Sequence, residues 1–427
     1  MAERLAIHGG NPARARPWPQ WPEFGEAERE ALRRVLESRN WGGHPSPNVE
    51  ARALCREFAA YVGSSYAVAT LNGTISLALA LQAARISPGA EVITTAYTFV
   101  GTASAIVEAG CVPVFVDVLP ETYCVDPDQV EAAVGPRTEA ILPVHLACSM
   151  ADLDHLGELA QRRGLLLVED CAHAHGARWR GRGAGSIGDF GSFSMQTTKL
   201  MTAGEGGLIT TSNGTYEQRL QSLVNCGRKE SGYDRFPERM LGTNARMTEW
   251  QAALLREQLK RLPGQHERRA ARIERFEKEI AAVPGLRPLA RDERVTERTA
   301  YQLILRYDSA PFAGVPRDDV LLALSAEGVP CYGRFYVPIP EDPLFAMDPK
   351  TNPVARSGVD YSGRAFPVAS RAAYEESIWL PHSLFLGGEE EVDDLVAAFA
   401  KVQAGASALR RSADGEESQD RRSRSEP

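Results

Sequence analysis

The chain has 427 residues, a formal net charge of −8, 43% hydrophobic residues and 24% charged residues. A chain of this length usually forms two domains, and this composition excludes disordered, fibrous and membrane-embedded classes of protein. The acidic balance disfavours binding to nucleic-acid phosphates, and every apolar run ends well before the roughly 20 residues that cross a bilayer. The N-terminus MAERLAIHGG lacks the apolar region of a signal peptide, so we expect a cytoplasmic protein without nucleic-acid or membrane partners.

Between residues 50 and 210, short apolar runs alternate with helical patterns, which predicts a layered α/β domain with crossover helices. A buried helix is predicted over residues 74–84, because apolar residues lie among alanines after a start that supplies an N-cap. The predicted strands cover residues 66–70, 91–95, 112–118, 140–145, 165–169, 191–195 and 207–211.

The second half of the chain has a different pattern. Apolar residues at three- and four-residue spacing predict a helix over 248–262, and a second helix over 265–282 follows Pro263-Gly264. Beyond about residue 290, isolated strands and helices predict a smaller α+β domain; these elements are a strand over 301–307 and helices over 317–327 and 389–404. We expect an N-terminal arm and large domain in residues 1–265, a small domain in 266–404, and a disordered, charged tail in 405–427.

Four segments carry chemical groups in a fixed order: Asn72-Gly73-Thr74 at a helix start, Tyr97-Thr98-Phe99 after a strand, Glu169-Asp170 at a strand end, and Ser194 five residues before Lys199. A carboxylate at the carboxyl end of a strand lies where α/β proteins bind ligands. Pyridoxal phosphate (PLP) needs an amine for its aldehyde, an acid for its ring nitrogen, donors for its phosphate and a flat contact for its ring. Lys199 supplies the amine and Asp170 the acid, while helix-start amides and the Ser194 hydroxyl supply phosphate donors.

The segments SFSMQTTKLMTAGEGG, EDCAHAHG, LNGT and AYTFVGTASAI resemble the DegT/DnrJ/StrS aminotransferases, which act on keto sugars and keto cyclitols. The resemblance extends from about residue 5 to residue 403, and the block around Lys199 is its most specific part. It implies a type I PLP fold of the α/β class, with a mostly parallel seven-stranded sheet in the large domain. It also implies a smaller α+β C-terminal domain and a homodimer with both active sites at the interface.

The resemblance assigns roles around the ring of the cofactor. Lys199 falls on the lysine that holds PLP as a Schiff base, and Asp170 falls on the acid that pairs with the pyridine nitrogen. Lys199 and Asp170 are thus the expected catalytic residues. Phe99 matches the aromatic residue that stacks on the ring, and His173 matches a Gln or His near the ring oxygen O3′.

The resemblance also assigns residues to the phosphate of PLP. Ser194 falls in the phosphate-binding set together with Gly73 and Thr74. The segment TNAR matches an Asn-x-Arg segment of the family, so Asn244 is expected to reach the phosphate bound by the neighbouring subunit. A single chain would then hold an incomplete site.

The substrates are less sharply indicated. PWPQWPEFGEAER, WGGHPSP and RFYVPIPEDPLF resemble the branch that aminates keto cyclitols in aminoglycoside antibiotic biosynthesis, where L-glutamine is the typical donor and L-glutamate the alternative. A nucleotide-linked keto sugar ranks second as acceptor, and a reaction like that of 3-amino-5-hydroxybenzoate synthase ranks third. A PLP-binding regulator without turnover is the alternative from another class. Further residues proposed to line the pocket are Arg246, Tyr301, Arg334 and His382.

Several other features favour structural roles. Residues 183–188 spell G-x-G-x-x-G, but they follow a charged turn and lead into a strand, which predicts a loop rather than a dinucleotide site. We expect no metal site, because His173 and His175 are two residues apart and the seven cysteines form no C-x-x-C pair. His145 is either a structural histidine or a pocket wall. Cys171 is expected to be a small buried residue, since no base is placed to activate it.

Overall fold

The structure is a computed structural model, and it describes residues 3–42, 48–228, 239–345, 361 and 364–413. No helix in these ranges has an apolar stretch long enough to cross a membrane. The α-helices in these ranges are α1 Glu26–Ser38, α2 Glu50–Val62, α3 Gly73–Ala83, α4 Val100–Glu108, α5 Pro127–Ala133, α6 Leu153–Arg163, α7 Gly214–Val224, α8 Glu249–Ile280, α9 Arg317–Ala326, α10 Pro367–Arg371, α11 Glu389–Ala404 and α12 Ala406–Ala413. The strands are β1 Tyr66–Thr70, β2 Glu91–Thr95, β3 Val112–Val116, β4 Thr138–Leu142, β5 Leu166–Asp170, β6 Arg178–Trp179, β7 Arg182–Gly183, β8 Phe190–Ser194, β9 Gly207–Thr211, β10 Leu286–Pro288, β11 Val295–Glu297, β12 Gln302–Tyr307 and β13 Ser377–Pro381.

A seven-stranded sheet with the order β1-β9-β8-β5-β4-β2-β3 forms the centre of the N-terminal part of the chain. Strand β9 is antiparallel to both of its neighbours, and the other pairs are parallel. Helices cover parallel sheets on both faces, which explains why strands such as β3, with the sequence VPVFV, are buried at every position. The expected α/β fold with a mostly parallel seven-stranded sheet is therefore confirmed.

Helix α3 begins at the carboxyl end of β1 and is apolar on nearly all sides, because it packs between the sheet and helices α4 and α7. Asn72 caps its first turn, with Oδ1 accepting a hydrogen bond from the Ile75 amide at 2.9 Å. The N-terminus of this buried helix therefore points towards the edge of the sheet where the parallel strands end.

The prediction of two helices on either side of Pro263-Gly264 was wrong, because a single helix of 32 residues, α8, spans this region. Pro263 and Gly264 lie on the exposed face, and Pro263 removes only one backbone hydrogen bond, the one that the Leu259 carbonyl would accept. The buried residues Leu262 and Gln265 keep the helix packed on the protein across this point. The expected boundary between residues 265 and 266 falls inside α8, and the division into two domains stays a prediction.

The C-terminal part contains the antiparallel sheet β10-β12-β13, against which α9 packs, and α11 in turn packs against α9 and α8. This arrangement agrees with the expected α+β pattern beyond residue 290. The predicted tail needs a correction, because residues 406–413 form helix α12 and the side chains of Ala406 and Leu409 are buried. Apolar burial outweighs the charged composition there. The rest of the predicted tail, residues 414–427, lies outside the described residues.

Candidate active site

Asp170 is the last residue of β5, in the middle of the sheet, and only 5% of its surface is exposed. Its Oδ2 accepts a hydrogen bond from the Thr102 hydroxyl at 2.9 Å, and its Oδ1 accepts one from the Ala172 amide at 3.1 Å. Burial raises the pKa of Asp170, against the opposite effects of these two donors and of the Lys199 charge. The carboxylate is thus held rigidly, in a place where a nearby cation would stabilise its charged form.

Lys199 lies in the loop that follows β8, and its side chain is almost completely buried. Burial lowers the pKa of its amine to about 8, and Asp170 acts in the opposite direction. Its Nζ lies 4.2 Å from the centroid of the Tyr301 ring, and the Tyr301 hydroxyl is 2.7 Å from the Thr198 hydroxyl. The structure therefore brings the predicted amine and the predicted acid into one buried space.

The N-terminus of α3 lies directly against Ser194, the last residue of β8. A Cβ atom built on Gly73 would be only 2.8 Å from the Cβ of Ser194, so a larger residue does not fit there. A Cβ on Gly101 would lie 2.6 Å from the Phe99 ring and 2.7 Å from the Thr74 hydroxyl. These close approaches place Gly73, Thr74, Phe99 and Ser194 around one hollow. The first amides of α3 have no partner within the helix, which makes this end suitable for an anion.

His173 follows β5, and its ring is fixed on both sides. Nδ1 accepts a hydrogen bond from the Ala147 amide at 3.1 Å, so the neutral ring carries its proton on Nε2. Nε2 lies 3.2 Å from the Tyr336 hydroxyl, which accepts this hydrogen bond. The ring also stacks on Tyr301, with the centroids 4.2 Å apart. Burial, together with the charge of Lys199, lowers the pKa of His173 far below its usual value, so the ring stays neutral.

Asn244 is exposed, and its backbone pairs with that of Asn225. None of the hydrogen bonds among the described residues joins its side chain to the residues around Lys199. Arg246, one of the proposed pocket residues, donates to Asn225 Oδ1 at 2.8 Å, and Arg334 donates to Asp318 at 3.1 Å. Of the other two, Tyr301 contacts Lys199 as described, and His382 Nε2 donates to the Thr198 carbonyl at 3.1 Å.

The G-x-G-x-x-G segment forms a loop that binds an internal carboxylate. The amides of Gly185, Ile187 and Gly188 donate to the buried Glu169 at 2.7 to 2.8 Å. His145 Nδ1 accepts the Ala151 amide, so Nε2 donates its proton to Glu169 at 3.1 Å. His145 is therefore a structural histidine, which decides between the two roles left open for it.

Cys171 is completely buried and lies near His145 and Glu169, so that one possible ligand atom from each falls within 4.8 Å of the others. Burial raises the pKa of the Cys171 thiol far above its usual value, and the Glu169 oxygens already accept the loop amides. These contacts agree with a small buried cysteine inside a structural network.

Three residues beside this space were absent from the predictions. Thr102 holds Asp170, Tyr336 holds His173, and Gly101 leaves room for Phe99 and Thr74 through its missing side chain. Gly101 was detectable in principle, since a glycine in the first turn of a helix is unfavourable and implies a close approach. Thr102 and Tyr336 give no local signal.

The seven-stranded sheet is mostly parallel, and next to it a buried lysine and a buried strand-end carboxylate influence each other's pKa. This is the arrangement of PLP-dependent aminotransferases. The sequence comparison makes this class specific. Residues 22–400 match the model of the DegT/DnrJ/EryC1/StrS aminotransferase family, and the chain belongs to that family. It is therefore an enzyme with PLP as its cofactor, as predicted, and the non-catalytic regulator is not supported.

Relatives and solved structures extend this comparison. A protein of Streptoalloteichus tenebrarius, provisionally named an L-glutamine:3-amino-2,3-dideoxy-scyllo-inosose aminotransferase, is 47% identical over 96% of this chain and 100% of its own. The L-glutamine:2-deoxy-scyllo-inosose aminotransferase of Streptomyces fradiae is 39% identical over 94% of this chain and 98% of its own. The crystal structure of 3-amino-5-hydroxybenzoic acid synthase is 35% identical, with a TM-score of 0.79, over 92% of this chain and 100% of that chain. DesI with its TDP-sugar product is 30% identical, with a TM-score of 0.80, over 97% and 99%.

Proposed function

We propose that the protein transfers an amino group from L-glutamine to a keto cyclitol in aminoglycoside biosynthesis, with L-glutamate as the alternative donor. The observation that carries this proposal is the high identity, over nearly the whole chain, to relatives named for scyllo-inosose substrates. The relatives named for an acceptor that already bears an amino group are the more similar ones, at 44–47% identity. We therefore rank an amino-bearing keto cyclitol first among the acceptors.

Two other acceptors have weaker support. The solved structures named for 3-amino-5-hydroxybenzoic acid synthesis and for a TDP-sugar product share the fold at lower identity. Fold alone does not select a substrate, because one scaffold serves many reactions. A nucleotide-linked keto sugar is the second candidate, and a 3-amino-5-hydroxybenzoate synthase-like reaction is the third.

The proposed catalytic residues are Lys199 and Asp170. When bound, PLP supplies an electron-withdrawing ring that stabilises negative charge on the substrate carbon. Lys199 would hold the cofactor and carry a proton at Nζ, and its pKa of about 8 supports proton exchange near neutral pH. Asp170 would hold a proton on the ring nitrogen, which the rigid position given by Thr102 and Ala172 supports.

The remaining residues would orient the cofactor. The α3 amides at Gly73 and Thr74, with the Ser194 hydroxyl, would bind the phosphate, and the close approach of Gly73 to Ser194 supports this. Phe99 would cover one face of the ring. His173, neutral and with its proton on Nε2, would face the ring oxygen O3′ from beside Tyr336.

We also propose a homodimer in which Asn244 reaches the phosphate in the partner subunit. The exposed Asn244 side chain makes no hydrogen bond, among the described residues, to the residues around Lys199 of its own chain, and this supports a role in a neighbouring subunit. We place the enzyme in the cytoplasm, because all seven cysteines are free, as is usual in a reducing compartment.

An absorbance experiment tests the reaction and the acceptor together. L-glutamine should convert the cofactor spectrum of the holoenzyme to that of the amino form, and 3-amino-2,3-dideoxy-scyllo-inosose should reverse the change faster than 2-deoxy-scyllo-inosose. A TDP-linked keto sugar should not reverse it. The Lys199→Ala variant serves as the control and should show no exchange. Reversal only by the nucleotide-linked sugar would replace the proposed acceptor, and no response to any donor would overturn the proposed reaction.

A further inference from the structure

A cavity of about 230 Å³ lies between α8 and residues 290–300. None of the residues proposed to bind PLP lines it. Its wall contains buried polar atoms that have no hydrogen-bond partner among the described residues: Ser149 Oγ, Thr299 Oγ1, Arg298 Nη2, both ring nitrogens of His266, and Nε, Nη1 and Nη2 of Arg269. The hydroxyls and guanidinium groups can all donate hydrogen bonds, whereas the neutral His266 ring has one donor and one acceptor nitrogen. Donors therefore outnumber acceptors, and the wall is suited to a ligand that accepts hydrogen bonds.

Arg269 has more unpaired hydrogen-bond donor atoms than the other side chains of the cavity wall. It is only 2% exposed, and burial lowers the pKa of its guanidinium to about 9. The Trp21 ring lies 5.4 Å from its Cζ, but a ring face cannot accept all five N–H groups. The nearby carboxylate of Glu23 already accepts hydrogen bonds from Gln265 and Arg268. A buried charge without acceptors is costly, so an anion that fits here would be bound with little competition.

The other charged groups around the cavity accept none of the hydrogen bonds that Arg269 can donate. Glu277 accepts hydrogen bonds from Arg298 Nη1 and from Arg291, and Arg298 Nε donates to the Cys148 carbonyl. Asp292 is paired with the arginine two residues further along the chain. Glu274 lines the cavity from the exposed face of α8. Among the described residues that line the cavity, the Arg269 guanidinium and Arg298 Nη2 are therefore positive groups without a hydrogen-bond acceptor.

We propose that this cavity is a binding site for a small carboxylate, separate from the cofactor site. The planar fork of Arg269 matches the two oxygens of a carboxylate, and Arg298 Nη2 with the hydroxyls of Ser149 and Thr299 donates to the remaining lone pairs. The cavity has the volume of about eight liquid waters, which admits a compound of a few carbon atoms. An amino-acid donor, its keto-acid product or free acetate has this chemistry.

Fluorine NMR with trifluoroacetate as the probe tests the site on the PLP-loaded enzyme at constant ionic strength. Saturable binding is expected, with displacement by acetate and no binding of the neutral trifluoroethanol. Arg269→Gln should weaken binding about tenfold or more, as expected for the loss of a bidentate charge-assisted contact. Lys278→Gln removes an exposed positive charge from the same helix and should leave the affinity unchanged.

Three results would overturn the proposal: no saturable binding, equal affinity in Arg269→Gln, or displacement by chloride as effective as that by acetate. If Arg269→Gln fails to fold, Thr299→Val provides the second test, because it removes one wall hydroxyl without changing the charge. That variant should bind trifluoroacetate a few-fold more weakly. Competition experiments with L-glutamate, 2-oxoglutarate and acetate then show which of these carboxylates binds most tightly.

Discussion

At the scale of single residues, Asp170 is expected to control the cofactor through charge. Asp170→Asn keeps the size of the side chain but removes the negative charge that would hold a proton on the ring nitrogen. The rate of the L-glutamine half-reaction should fall by about a hundredfold or more, the scale of a lost acid-base group. Single-turnover absorbance measures this rate. Thr102→Val keeps the carboxylate and removes one of its donors, so its loss should be tenfold or less.

Glu169, the neighbour of Asp170, is expected to act on stability instead. Glu169→Gln replaces one acceptor oxygen with an NH₂ group, which would face either the Ile187 and Gly188 amides or the Gly185 amide and His145 Nε2. It should lower the free energy of unfolding by about 3 kcal/mol or more. Urea denaturation measures the change. Glu30→Gln, on the exposed side of α1, is the control and should change the free energy of unfolding far less than Glu169→Gln does. If the two variants changed the free energy of unfolding equally, Glu169 would not have this stabilising role.

The pH dependence of stability follows from the same carboxylate. Burial alone would raise the pKa of Glu169, but the hydrogen bonds from His145 and the loop amides lower it overall. The folded state then binds fewer protons than the unfolded state, so the contribution of Glu169 is complete above its unfolded pKa of about 4.3. This contribution is lost as the pH falls through the folded pKa. Below about pH 4, the wild type should lose stability more steeply than Glu169→Gln.

The sequence was informative about residues that stand next to a local pattern. Asp170 ends an apolar strand, and Lys199 lies in a segment of small residues, so both were predicted before the fold was known. Thr102 and Tyr336 were missed because their contacts with Asp170 and His173 span 68 and 163 residues. Only the folding of the chain brings such pairs together, and no spacing in the sequence encodes them.

At the scale of elements, the strands of the large sheet were predicted well because burial on both faces makes them continuous apolar runs. Helix α8 was predicted less well, since Pro263-Gly264 normally ends a helix. The local preference of two exposed residues was outweighed by the buried face on either side of them. Tertiary packing of this kind cannot be read from a window of a few residues.

Two glycines with open surroundings test this interpretation of α8. A Cβ on Gly264 or on Gly63 would contact nothing within 4 Å, and the two positions differ in that Gly63 has a φ of +85°. Gly264→Ala should raise the free energy of unfolding by about 0.5–1 kcal/mol, because alanine favours a helix interior. Gly63→Ala should lower it by about 1–2 kcal/mol, since its left-handed backbone strains a side chain. A destabilised Gly264→Ala would show that α8 needs glycine there for another reason.

At the scale of the whole molecule, the two subunits of the proposed dimer should depend on each other. Asn244 is exposed in one chain, whereas Lys199 is buried near Asp170. If each site combines Lys199 of one subunit with Asn244 of the other, a heterodimer of Lys199→Ala and Asn244→Ala chains contains one wild-type site and one doubly defective site. If both residues served the same subunit, each site of the heterodimer would carry one defect.

Co-expression of the two variants distinguishes these arrangements. Random pairing makes half of the dimers heterodimers, so shared sites should restore about a quarter of the wild-type activity per chain. The homodimeric variants, each purified alone, provide the baseline. Sites built within one chain would give no activity above that baseline, because no wild-type site could form. Differently tagged chains allow the heterodimer to be isolated, and its activity should then be about half that of the wild type.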